Sequence, residues 1–106
     1  MTVLWYRKNL GEETRRQAVR ILDDYTIKHA EEESWSEDCH EHAANLEAYF
    51  PAHQAAVERF EKDPNADDLA DLMDAFDGFS KAYFGYMYFE CGTLKPSIRV
   101  EHYDVR

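Results

Sequence analysis

The segment from Ser34 to Lys62 carries an apolar row with a helical repeat, and this row constrains the fold more than any other feature of the chain. Its steps are three and four residues throughout, the spacing of one face of an α-helix. Ser34 and Glu37 stand in the S-x-x-E arrangement of a capping box, which satisfies unpaired backbone N–H groups at a helix start. The row stays in phase across Pro51, so we predict a single helix with a kink at the proline. The row consists of Cys39, His42, Leu46, Tyr49, His53, Ala56 and Phe60.

Two further segments are predicted to be helical. The first begins after Asn9, a favourable N-cap residue, and ends in the acidic run 31–33, which the dipole of a helix C-terminus disfavours. The other begins after the turn at Asp63 and stops near Gly92. Apolar residues recur with helical spacing in both segments. They are Ala18, Ile21, Leu22 and Tyr25 in the first, and Leu69, Leu72, Met73, Phe76, Phe79, Tyr83, Tyr86 and Met87 in the second.

Three helices with short connections predict a mainly all-α fold, an antiparallel three-helix bundle with a kinked second helix. Short extended segments at Thr2–Lys8 and Lys95–Val105 flank the bundle. Either the two segments pair as a small two-stranded sheet, or the C-terminal segment folds back along the helices. The apolar positions of residues 83–91 continue the helical repeat of the preceding residues, so we predict that they are helical. The alternative is that they form a strand in an α+β fold. The length of 106 residues is that of one domain, so we predict a single compact helical domain over 1–106.

The aromatic side chains that end the third predicted helix cannot all face one core. We expect Phe84, Tyr88 and Phe89 to be covered by the C-terminal segment. The alternative is that they form an exposed contact patch, since tyrosine-rich patches are common at interfaces.

The charge of the chain limits its partners. The net charge is −10, from 22 acidic residues against 12 Lys and Arg. This charge argues against direct binding of nucleic acid or of an anionic membrane, because binding phosphates needs a positive surface. We find no run of ~20 apolar residues that would span a membrane and no signal peptide. These features favour a cytoplasmic protein that meets a basic surface on another protein. In that compartment Cys39 and Cys91 are expected to be free thiols.

The segment from Asp63 to Asp77 contains aspartates without an intervening Lys or Arg. On a helix, Asp67, Asp71 and Asp74 align on the side opposite the apolar row, and their axial steps of ~4.5–6 Å resemble the spacing of phosphates along a nucleic-acid strand. We therefore expect this row to occupy a basic groove, with a solvated helix face as the alternative. The predicted contact surface comprises Asp67, Asp68, Asp71, Asp74, Asp77, Glu37, Glu41 and Glu47.

Histidine and cysteine side chains raise the question of a metal site. Cys39 and His42 share a helix face, and a hairpin near Ser34 would place His29 opposite them, giving three ligands. The preferred interpretation is ordinary helix packing, so we expect no metal and no cofactor. We find no nucleophile elbow, phosphate-binding loop or metalloprotease motif, so enzymatic activity is not expected.

The sequence thus predicts a small acidic, non-enzymatic protein that binds and inhibits or regulates a basic nucleic-acid-handling protein or complex, acting as a nucleic-acid mimic. Anti-CRISPR and anti-restriction inhibitors encoded by mobile elements have this size and charge, which is an analogy of composition alone. The alternatives are a helical metal- or redox-responsive module that uses His29, Cys39 and His42, and a regulatory scaffold subunit.

Overall fold

The computed structural model describes residues 16–106, which form an α+β fold of two helices and a two-stranded antiparallel sheet. A short 3-10 turn precedes the first helix. In chain order the elements are β1 (Arg16–His29), the turn (Glu32–Ser34), α1 (Glu37–Lys62), α2 (Ala66–Tyr88) and β2 (Gly92–Asp104).

The predicted three-helix bundle is wrong, because residues 16–29 of the segment predicted as its first helix form strand β1. The C-terminal segment does form a strand, β2, but its partner is β1. The predicted N-terminal strand, Thr2–Lys8, lies outside the described residues. The other two predicted helices are present and form an antiparallel hairpin, and α2 extends to Tyr88, so the helical interpretation of residues 83–91 holds for most of that stretch.

Helix α1 begins two residues later than the predicted capping box. Its N-cap is Ser36, whose hydroxyl oxygen accepts the backbone N–H of Cys39 at 3.4 Å. Ser34 lies instead in the 3-10 turn. The helix continues through Pro51, as the unbroken apolar row predicts.

Strand β1 is rich in β-branched and aromatic residues, and its buried residues lie on both of its faces. Val19 and Ile21 are fully buried, and Tyr25 and Ile27 pack against the core. These residues are β-branched or aromatic, the types that strands favour. The helical spacing of Ala18, Ile21, Leu22 and Tyr25 arises because these apolar residues come from both faces of the strand.

A β-bulge between Leu22 and Asp24 moves the later odd-numbered residues of β1 to the other face of the ribbon. Ile21 pairs with Arg99 and Tyr25 pairs with Pro96, three positions apart on β2, so the two inward residues lie on opposite faces of the ribbon. Before the bulge, buried residues come from both faces of the ribbon, Ile21 from one and Leu22 from the other.

The ribbon face that carries Arg20 leaves apolar residues of β2 partly exposed. Ile98 is 40% exposed and Val100 is 55% exposed. Between this face and α2 lies a cleft of about 310 Å³, lined by Arg20, Ile98 and aromatic side chains that include Phe79 and Phe84.

The bulge is anchored to α1 by two adjacent side chains. His53 Nε2 accepts the Leu22 N–H at 2.9 Å, and Gln54 Nε2 donates to the Leu22 carbonyl at 2.7 Å. His53 is fully buried, and burial lowers its pKa to about 4 while the nearby Asp23 carboxylate opposes that shift. The ring is therefore neutral at pH 7, with its proton on Nδ1, which has no hydrogen-bond partner among residues 16–106.

Two glycines of α2 allow the helices to approach closely. A Cβ on Gly78 would lie 2.2 Å from the Tyr49 ring, and a Cβ on Gly85 would lie 2.3 Å from the His42 ring. Each glycine thus accommodates a ring of α1 at a position where any other residue would force that ring to move. Their cost to helix propensity, about 1 kcal/mol each, is offset by this packing.

The two cysteines form a disulfide, so the prediction of free thiols is wrong. Cys39 lies in the first turn of α1 and Cys91 directly precedes β2. The antiparallel hairpin returns the chain to the start of α1, which brings the two Cα atoms to 5.5 Å across a sequence separation of 52. The Trp35 indole N–H also donates to the Cys91 carbonyl at 3.0 Å, which fixes the same junction.

Candidate protein-interaction surface

Three aspartates of α2 form an exposed row, which we call the aspartate row: Asp67, Asp71 and Asp74. The opposite side of the helix is anchored in the core by Leu72 and Phe76, which are almost completely buried. Steps of four and three residues place the carboxylates ~6 and ~4.5 Å apart along the axis. Within residues 16–106, none of the three makes an ion pair or a side-chain hydrogen bond, so the row is a line of uncompensated negative charge on a rigid support.

The other two predicted aspartates of α2 have local partners. Asp68 belongs to the N-cap: its backbone N–H donates to Asn65 Oδ1 and its carboxylate accepts from Asn65 Nδ2, both at 2.8 Å. Asp77 pairs with Lys81 at 3.0 Å. These two carboxylates are therefore less available to a partner than the three of the aspartate row.

Two arginines among residues 16–106 are paired with acids outside the aspartate row. Arg99 donates to Asp23 at 2.6 Å, contacts Glu101, and lies 4.0 Å from Glu61. The pKa of Arg99 is raised, chiefly by its hydrogen bond to Asp23. Arg106 pairs with Asp63. These arginines therefore do not neutralise the aspartate row.

The structure does not bring all the predicted glutamates to the aspartate row. Glu37 and Glu41 lie in the first two turns of α1, at the disulfide end of the hairpin. Asp67 lies at the other end, where α2 begins, roughly 35 Å away at 1.5 Å per residue. Glu47 lies between them, near the contact of Tyr49 with Gly78. All three glutamates are exposed, but they belong to a different part of the surface.

A group of apolar side chains is exposed where α2 ends, which we call the aromatic patch: Phe84, Met87, Tyr88 and Phe89. Tyr88 is 80% exposed. The expectation that the C-terminal segment covers these rings is wrong, because β2 turns at Gly92 and runs along β1 instead. The patch borders a shallow hollow of about 630 Å³, which His42 and Gly85 also line.

The two histidines considered as metal ligands, His29 and His42, each contact a different aromatic side chain. His29 Nδ1 is 2.6 Å from the Tyr86 hydroxyl, whose pKa is raised by burial, so the hydroxyl is protonated and can donate. His42 stacks on Phe89 with ring centroids 5.6 Å apart. The Cys39 sulfur is bonded to Cys91 and offers no thiolate in this state. In the part of the chain that the structure describes, no three His, Cys, Asp or Glu side chains are grouped so that they could hold a metal ion.

Comparison of the chain with protein-family models, with curated protein sequences and with solved structures gave no match. Neither of the helices described for residues 16–106 is long and apolar enough to cross a membrane.

Proposed function

We propose that this protein binds a basic groove of a nucleic-acid-handling protein or complex and inhibits it by occupying the site of the nucleic acid. The observation that supports this proposal is the aspartate row: three exposed carboxylates in line, phosphate-like in spacing, without a partner among residues 16–106. The net charge of −10 adds long-range attraction to a basic surface.

The ion pairs of the basic residues favour a binding role for the aspartate row over that of a solvated helix face. Lys81, Arg99 and Arg106 each pair with an acid outside the row. The carboxylates at Asp67, Asp71 and Asp74 are left to repel one another, and like charges at this spacing destabilise a helix slightly. Lysine or arginine side chains of a partner would relieve this repulsion. Removing one member of a charge pair that is desolvated in a complex weakens the binding free energy by about 2–5 kcal/mol.

We place this activity in the cytoplasm, where such a partner works, and assign the protein no enzymatic role and no cofactor. Disulfides are rare in that compartment, where thiols keep cysteines reduced, but Cys39 and Cys91 are both buried and shielded from such thiols. The Cys39–Cys91 bond lies at the end of the hairpin remote from Asp67, so binding through the aspartate row does not require it. Inhibitors of defence complexes carried by mobile elements are the functional class that fits these properties.

The test compares wild type with the variant Asp67→Asn, Asp71→Asn, Asp74→Asn, which keeps the shape of the row and removes its charge. The matched control is Glu31→Gln, Glu33→Gln, Glu58→Gln, which removes the same charge from exposed positions elsewhere. Each immobilised protein is exposed to a lysate of the native host, and the bound proteins are identified and then eluted with duplex DNA or RNA.

We expect wild type and the control to capture a nucleic-acid-binding protein that salt and added nucleic acid release. The row variant should bind that protein at least tenfold more weakly. Equal capture by the row variant, or a captured protein that nucleic acid does not displace, would contradict the proposal.

A second candidate function, a redox-responsive module, is favoured by the disulfide itself. Reduction would free Cys39 close to His42 and release the start of α1 from the start of β2. In that case capture of the same partner would differ between the oxidised protein and the variant Cys39→Ser, Cys91→Ser. The aspartate-row proposal expects equal capture.

A further inference from the structure

The aromatic patch and the aspartate row lie on the same helix. Asp67 is in the first turn of α2, and Tyr88 is its last residue. The separation of 21 residues corresponds to roughly 32 Å along the axis. One elongated partner surface could therefore contact both features.

The aromatic patch is held in place before any partner arrives. Backbone N–H groups of Phe89, Glu90 and Cys91 donate to carbonyls of the last turns of α2 at 3.0–3.1 Å. His42 stacks on Phe89, and the Cys39–Cys91 bond fixes the chain directly after the patch. Exposed rings on a rigid support are typical of protein-binding surfaces, where aromatic residues and methionine are enriched.

Three acidic residues lie close to the aromatic patch or to His42 in the chain, and Lys81, one turn before Phe84, is paired with Asp77. Glu90 follows Phe89 directly, and Asp38 and Glu41 lie on α1 within one turn of His42. All three are exposed, and none of the residues lining the hollow beside the patch is a lysine or an arginine. This surface therefore complements a cation that also presents a flat or apolar side.

Arginine fits this surface better than lysine does. Its guanidinium group is planar, stacks on aromatic rings and is more weakly hydrated than an ammonium group. Each cation–π contact contributes about 0.5–1 kcal/mol at exposed sites. Carboxylates beside the rings can accept the guanidinium N–H groups at the same time.

We propose that the aromatic patch binds arginine side chains of the same basic partner, with its rings in the place of nucleobases and the aspartate row in the place of phosphates. This inference rests on the proposed function and specifies the chemistry of the partner. Arginines that stack on bases in a nucleic-acid groove would stack on Tyr88 and Phe84 instead.

The test measures binding of fluorescent deca-arginine and deca-lysine peptides, which carry equal charge, by anisotropy at low and moderate salt. The patch variant is Phe84→Ala, Tyr88→Ala. The matched control is Val100→Ala, which truncates an exposed apolar residue outside the patch. The row variant Asp67→Asn, Asp71→Asn, Asp74→Asn is measured alongside. Far-UV circular dichroism verifies that each variant is folded.

We expect wild type and the control to bind deca-arginine about fivefold or more tightly than deca-lysine, as two stacking contacts imply. The patch variant should lose this preference and bind deca-lysine as wild type does. The row variant should bind both peptides more weakly at an unchanged ratio. A ratio near one in wild type, or an unchanged ratio in the patch variant, would overturn the inference. If the row variant binds both peptides as wild type does while the patch variant loses the preference, the proposed function fails and the arginine site stands.

Discussion

Acidification should destabilise this protein through a single buried imidazole, that of His53. Its Nε2 accepts the Leu22 N–H, and burial lowers its pKa to about 4, against about 6.5 in an unfolded chain. Between these two values the unfolded state binds more protons than the folded state. The free energy of unfolding therefore falls as the pH drops from about 6.5 towards about 4.

The magnitude follows from the two pKa values. A shift of this size corresponds to at most about 3 kcal/mol, reached below pH 4, at 1.36 kcal/mol per unit. Between pH 7 and pH 5 the loss attributable to His53 is about 2 kcal/mol. Protonation would place a charge in the core and remove the acceptor that holds the Leu22 N–H at the bulge.

The assay is urea unfolding at pH 7, 6 and 5, followed by far-UV circular dichroism. The reference is His53→Gln, whose amide oxygen can accept the Leu22 N–H but does not titrate. Carboxylates titrate in both proteins, so the difference between their pH dependences isolates the imidazole. Wild type should lose about 2 kcal/mol more than the variant from pH 7 to pH 5. Parallel pH dependences would show that His53 is not buried in its neutral form.

Two other changes test how the helical hairpin is held together. The variant Cys39→Ser, Cys91→Ser should lose up to about 4 kcal/mol of stability in chemical unfolding, which is the chain-entropy value for a cross-link across 52 positions. If the variant is as stable as the oxidised wild type, the bond is not formed. Gly85→Ala should cost about 1–3 kcal/mol despite the better helix propensity of alanine, because its Cβ meets His42. Adding His42→Ala to Gly85→Ala should recover part of that loss. If the two substitutions lower the stability additively in thermal melts, the contact between position 85 and the His42 ring is contradicted.

The sequence by itself was sufficient to predict the two helices. Helical spacing of apolar residues and a polar N-cap are local properties, and they place α1 and α2 to within a few residues, including passage through Pro51. Local spacing also predicts that Asp67, Asp71 and Asp74 lie in line and exposed, because a helix fixes their relative directions.

Strand β1 could not be recognised from the same spacing. Its apolar residues fit a helical repeat when Ala18, Ile21, Leu22 and Tyr25 are taken together, and a two-residue repeat when Val19, Ile21, Tyr25 and Ile27 are taken together. Pairing with β2 decides between them, because a strand satisfies its backbone hydrogen bonds with a partner remote in sequence.

The disulfide and the aromatic patch likewise depend on long-range contacts. Cys39 meets Cys91 because the hairpin reverses the chain, and the pairing of β2 with β1 takes β2 away from the rings that it was expected to cover. The sequence alone therefore determined the helices, the charge and the aspartate row, each of which depends on neighbouring residues. The tertiary structure decided the sheet, the buried state of His53, the disulfide and the exposure of the aromatic patch, since each requires segments far apart in the chain to meet.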